Sequence, residues 1–316
     1  MTLTAPLPSD VETEAPPAPD ASADVRKGGW FPPVIIALVV ALWLVPTVGV
    51  LVTSFRPEQQ VETTGWWTAF AHVFDSGQWT FQNYRDALDA GGFENAFLNS
   101  LAVTIPSTVM PITIAAFAAY AFSWMEFRGR YVMFVAVVAL LVVPLQMALI
   151  PILRLYSGGA EIAGVPVFPD LDLNGTFLGI WLAHTAFGLP LAVYLLRNFI
   201  GSLPSSIIES ARVDGADHFT IFWRLVVPLS VPALAAFAIF QFLWVWNDLL
   251  VARIFLGATE DNRVLTLALQ TLNGSRGEDW HLLTSAAFIS MILPLAVFFA
   301  LQRYFIRGLT AGAVKG

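Results

Sequence analysis

Uncharged apolar stretches recur along this chain at 34–55, 97–122, 131–153, 174–196, 226–247 and 282–302, separated by connections that hold nearly all the charge. Within each stretch the apolar residues run on without the strict alternation of a half-buried strand. A helix of about 20 residues crosses a hydrocarbon layer about 30 Å thick, and lipid leaves a single segment no other way to satisfy its backbone. The pattern predicts an all-α polytopic membrane bundle of six transmembrane helices, with residues 28–307 as the membrane domain. Pro46, Pro106, Pro111, Pro144, Pro190, Pro232 and Pro294 fall inside the spans. Each removes a backbone donor and frees a carbonyl, so neighbouring helices or water must supply a partner.

Composition supports lipid as the solvent. The 316 residues are 57% hydrophobic and 12% charged, against about 25% charged in an average soluble domain. With no cysteine there is no disulfide framework, thiolate metal site or cysteine nucleophile. The net charge of −7 owes much to Asp10, Glu12, Glu14, Asp20 and Asp24. No basic stripe supports nucleic-acid binding.

Residues 1–27 are rich in Pro, Ala, Ser and acid, a composition that cannot offset the entropy of ordering, and are expected to form a disordered tail. They lack the basic n-region of a signal peptide. An inside N-terminus puts Arg26, Lys27, Arg128, Arg130, Arg197, Arg212, Arg224, Arg303, Arg307 and Lys315 in the cytoplasm, ten of the sixteen Lys and Arg. The positive-inside bias therefore predicts that both termini are cytoplasmic. The outside connections carry Trp66, Trp67 and Trp79, which suit an interfacial aromatic belt or a sugar-stacking platform.

The inside connection 197–225 is much longer than the one at 123–130. In it, Ser206 and Glu209 have the spacing of a capping box and predict a helix starting near Ile207. Asp214-Gly215 supplies turn chemistry ahead of a second short helix over 216–226. The outcome is a helix-turn-helix elbow on the inner face, a description that an amphipathic surface helix anchoring a loop would also meet.

Glu209-Ser210-Ala211, Asp214-Gly215-Ala216, then Phe222, Leu225 and Pro228 resemble the EAA signature of the permease subunits of binding-protein-dependent ABC importers. Asn83-Tyr84, Asn99-Ser100, Ala119-Tyr120-Ala121, Arg128-Gly129-Arg130 and Trp246-Asn247-Asp248 resemble the carbohydrate branch of that family. Residues 308–316, including Gly308, Gly312 and Lys315, resemble the C-terminal tail of its maltose-system type. The resemblance covers about 80–316. It implies an ATP-driven importer in the inner membrane of a prokaryote, carrying an oligosaccharide or glucoside. It also implies a second permease subunit as heterodimer partner, two cytoplasmic ATPase subunits and an extracytoplasmic solute-binding protein. The elbow becomes the coupling helix that seats in the ATPase, and the 308–316 tail contacts the same subunits. Ser210 stands where the signature usually has Ala, and the connection 156–174 is longer than typical.

No phosphate-cradling G-x-x-x-x-G-K-[ST] occurs, so ATP and Mg belong to a partner and this chain is expected to carry no cofactor and no enzyme activity. H-E-x-x-H is also absent, and His72, His184, His218 and His281 lie too far apart in sequence to suggest a preformed metal site. The alternative function, an ion-coupled secondary transporter of a small polar solute, normally places carboxylates inside its spans. These spans hold none, and His184 suits a hydrogen-bonded neutral imidazole better than a proton relay. Trp246, Asn247 and Asp248 could meet sugar hydroxyls on the import path, or simply anchor and cap a helix end at the interface.

Overall fold

The computed structural model describes residues 30–90, 92–257, 259–272 and 279–311, with the backbone alone for 76 and 304–311. The acidic tail 1–27 lies outside the described residues. The chain divides into two compact units, 1–48 and 49–316. Helix α1 (Phe31–Ser54) begins in the first unit, where Phe31, Leu38, Leu42 and Trp43 are exposed. Such an all-round apolar helix suits a lipid surround.

In the second unit, α2 (Glu58–Thr63) and α3 (Gln82–Asp89) precede the long α4 (Phe93–Trp124). There follow α5 (Arg130–Ala139), α6 (Leu145–Gly158), a hairpin of β1 (Ala160–Ile162) and β2 (Val165–Phe168), and α7 (Phe177–Ile200). The elbow helices α8 (Ser205–Val213) and α9 (His218–Ile221) lead through a π-turn at Phe222–Val226 into α10 (Val227–Trp246). After α11 (Leu250–Phe255) and α12 (Leu265–Leu272) comes α13 (Trp280–Ala311), the last element among the described residues. Among the described residues five helices are long and apolar enough to cross a membrane, six if α5 and α6 count as one broken span. The fold is an all-α polytopic membrane bundle.

The stretch 131–153, predicted as one span, is broken in two: α5 and α6 meet at 106°. Pro144 forces the break. A residue before proline avoids the helical region, and Val143 is accordingly extended at ψ 116°, with Pro144 as the N-cap of α6. The bend borders a cavity of about 500 Å³ lined by Val143, Pro144, Gly188, Gln241 and Trp244.

Helix α4 packs most extensively on α7. Its buried positions Ala96, Ser100, Val103, Ser107, Pro111, Ala115 and Ala119 recur every three or four residues and are mostly small. Facing them, α7 buries Ile180, Ala183, His184, Gly188 and Ala192. Apolar side chains gain little over lipid tails, so close backbone approach through small residues and hydrogen bonds between helices hold such a pair.

The proline demand is met by side chains of other helices at three positions. Pro106 leaves Ala102 O without its helical donor, and Trp181 Nε1 donates to it at 2.8 Å. Pro111 frees Ser107 O, which accepts from Gln241 Nε2 at 3.1 Å. Pro294 frees Ser290 O, which accepts from Trp246 Nε1 at 3.1 Å. Each bond fixes both the kink and the rotation of the helix that supplies it.

Several connections between the helices are held in the same way. Asn83 Nδ2 donates to Ser54 O and Arg56 O, and Tyr84 OH pairs with Ser54 Oγ at 2.8 Å. Asn99 Nδ2 donates to Asp261 O and Arg263 O, while Ser100 Oγ accepts from Leu265 N. Trp79 Nε1 donates to Val73 O within its own connection.

Candidate functional site

The elbow follows the end of α7 at a Gly201-Ser202-Leu203-Pro204 turn. The capping box is not formed. Helix α8 starts at Ser205, Pro204 occupies the N-cap position with φ −58° and ψ 126°, and no side chain caps it. A cap must precede the first helical residue, and Ser206 lies inside that turn. Glu209 is therefore an exposed side chain without a capping duty.

Ile208, 1% exposed, anchors α8 in the core beside Leu196, Ile200, Ile221 and Phe222. The chain then reverses at Gly215, whose φ of +82° is the left-handed conformation that glycine adopts without steric cost. Ala216 N returns to Ala211 O at 3.0 Å, closing the turn. The next helix is capped by Asp217, whose carboxylate accepts from Thr220 N at 2.8 Å. Those Thr220 hydrogen bonds hold the carboxyl below its ordinary pKa. The D-x-x-T spacing was the available sequence signal for this cap.

The predicted separate helix over 216–226 is also corrected: α9, the π-turn and α10 form one run, His218–Trp246. Pro228, at the second position of α10, has no N–H to return to Arg224 O, so an ordinary α-helical bond is unavailable beside the π-turn.

Side-chain contacts that the sequence did not pair link the elbow, α4 and the end of α7. Tyr120 OH pairs with His218 Nδ1 at 2.9 Å, and Arg212 Nη2 donates to Trp124 O at 2.8 Å. The Trp124 carbonyl is one of the last of α4, which lack intrahelical partners and favour a cation. Trp124 Nε1 donates in turn to Ile200 O at 3.1 Å. Phe222 stacks on Phe117 with ring centroids 4.5 Å apart.

Of the signature residues, Glu209, Ser210, Asp214 and Gly215 are exposed, while Ala211 and Ala216 are half-buried. Ser206, Glu209, Ser210, Val213 and Asp214 line a shallow open depression, with Val213 88% exposed. Pro228 is exposed on the span rather than in the elbow. This face offers carboxylates beside apolar surface on a backbone anchored at several points. It can receive a protein surface, and it has no nucleophile–base pair.

The other sequence candidates separate. Trp246 is 3% exposed, packs on Phe97 and Phe242, and spends its N–H on Ser290 O. Asn247 donates to Leu243 O at 2.7 Å. Asp248 accepts from Ala252 N at 2.9 Å, so the capped-helix-end reading fits it. Burial raises the Asp248 carboxyl pKa, against the lowering effect of backbone hydrogen bonds from Ala252, Val251 and Leu250. Its oxygen lies 3.9 Å from His184 Nε2. His184 lacks its expected hydrogen bond: it is 1% exposed, with neither ring nitrogen partnered among the described residues. Gly308 lies within the α13 backbone, and Gly312 and Lys315 lie outside the described residues.

Residues 111–311 match the family described as binding-protein-dependent transport system inner membrane component. The chain is 56% identical over 282 residues to the osmoprotective compounds uptake permease protein GgtD of Synechocystis sp., covering 89% of this chain and 91% of that one. It is 44% identical to the alpha-glucoside transport system permease protein AglG of Rhizobium meliloti, covering 91% of this chain and 97% of that one. Among solved structures, a bacterial ABC transporter involved in the import of the acidic polysaccharide alginate has a chain with TM-score 0.69 at 21% identity, covering 87% of this chain and 95% of that chain, a likeness of fold. With the family match spanning most of the bundle and the whole elbow, this chain belongs to the inner membrane components of binding-protein-dependent transport systems.

Proposed function

We propose that the chain is one permease subunit of an ATP-driven importer that passes an α-glucoside or a related small glycoside across the membrane. The observation that carries the reading is the anchored elbow. Glu209, Ser210 and Asp214 are exposed on a backbone fixed by Ile208, Arg212 and Tyr120. A separate cytoplasmic ATPase seats on that face, and both chain termini lie on its side of the membrane. A second permease subunit completes the path, and an extracytoplasmic binding protein delivers the solute. The glucoside class rests on the name of the Rhizobium meliloti relative.

Ion-coupled secondary transport is not favoured, because the chain belongs to the family of binding-protein-dependent transport components. Reconstituted vesicles test the reading. Uptake of a labelled α-glucoside should need the binding protein outside and ATP inside. Uptake driven by a proton or sodium gradient without ATP would overturn it.

A further inference from the structure

The fold brings Glu58 together with Asp279 and His281, which lie more than two hundred residues further along the chain. Glu58 opens α2, while Asp279 and His281 flank the first residue of α13. One carboxylate oxygen from each acid and one imidazole nitrogen lie within 4.8 Å of one another. His281 is 7% exposed, and its Nδ1 is buried without a hydrogen-bond partner. A buried polar atom without a partner is costly and calls for an explanation. The other histidines differ: His72 pairs with Asp75 at the surface, His218 pairs with Tyr120, and His184 lies within a span.

We infer that Glu58, Asp279 and His281 form a binding site for a divalent transition-metal cation of the Zn²⁺ type. Two carboxylates and an imidazole supply the three protein ligands of an open tetrahedral site, with water in the fourth position. The imidazole selects Zn²⁺ or its neighbours over the all-oxygen preference of Ca²⁺ and Mg²⁺. Ligand atoms on one tetrahedral Zn²⁺ stand roughly 3.4 Å apart. The observed cluster is wider, and the exposed Glu58 is the member able to draw in. The His281 backbone is already placed: Ser285 Oγ lies 2.7 Å from its carbonyl and 3.0 Å from Ser54 O, and its single proton is shared between the two acceptors. A bound cation would add a tie between the connection after α1 and the start of α13. This site is independent of the transported solute.

The test is Zn²⁺ titration by calorimetry on the full-length chain, purified with whatever partners accompany it and stripped with EDTA. Wild type should bind one Zn²⁺ per chain at this site. Glu58→Gln, Asp279→Asn and His281→Ala should each weaken it at least about tenfold, since even loss of an outer-shell partner commonly does so. His72→Ala should leave the affinity unchanged. The two isosteric acid variants keep the test decisive if His281→Ala misfolds. Absence of Zn²⁺ binding by wild type, or binding that survives Glu58→Gln combined with Asp279→Asn, would overturn the proposal.

Discussion

Gln241 Nε2 donates to the Ser107 carbonyl, 3.1 Å away, that Pro111 deprives of its helical donor. The amide reaches it because Gly188 has no side chain: a Cβ there would stand 2.7 Å from the Gln241 amide atoms. One contact thus joins α4, α7 and α10 near the middle of the bundle, beside the cavity at the α5–α6 bend.

Gln241→Leu should cost roughly 0.5–2 kcal/mol, the range for a hydrogen bond between membrane helices. In a Pro111→Ala background the same change should cost less, because the backbone N–H regained at that position would satisfy Ser107 O itself. Thermal denaturation of the four detergent-purified variants measures the coupling. Equal losses in both backgrounds would mean that the proline and the glutamine act independently.

Trp246→Phe keeps the ring against Phe97 and Phe242 but removes the N–H that serves Ser290 O. A stability loss of about 1 kcal/mol is expected, with the KM for transported solute unchanged. A raised KM at normal stability would place this side chain on the transport path after all.

Glu209→Gln should leave α8 as stable as wild type, since Pro204 rather than Ser206 precedes the helix and no capping box exists. Glu209→Lys should leave membrane levels normal while lowering ATPase co-purification and stimulated hydrolysis. Retention of full stimulated hydrolysis by Glu209→Lys would remove this residue from the docking face.

Gly215→Val places a β-branched residue at φ +82°, a strained conformation worth of order 1 kcal/mol or more. The turn should re-aim α8, so uptake should fall while insertion is kept. Tyr120→Phe and Arg212→Ala remove the two bonds from the elbow to α4 and should produce the same phenotype more mildly. Hydrogen exchange at 205–221 should quicken in all three variants; unchanged exchange would count against these anchors.

Single cysteines are informative in a chain with none of its own. An impermeant thiol reagent added to intact cells should label Glu161→Cys on the exposed hairpin and spare Ser206→Cys. The reverse pattern would invert the proposed orientation.

Hydropathy by itself determined that the chain lives in lipid, which stretches are apolar enough to enter it and which connections carry charge, because each depends only on composition over about 20 consecutive residues. The elbow was legible too, since Gly215 and its neighbours make a local turn. The start of its first helix was not: Ser206 and Glu209 had the right spacing, but Pro204 started the helix earlier, whereas the D-x-x-T spacing did carry the Asp217 cap of the next one. The prolines announced that carbonyls would be freed and left open which donors would reach them. Pairing Gln241 with Ser107, Trp181 with Ala102 and Trp246 with Ser290 required the register and rotation of whole helices, set by long-range packing of small residues. The same packing brought Glu58 to His281, across more than two hundred residues of chain, a juxtaposition beyond any local pattern.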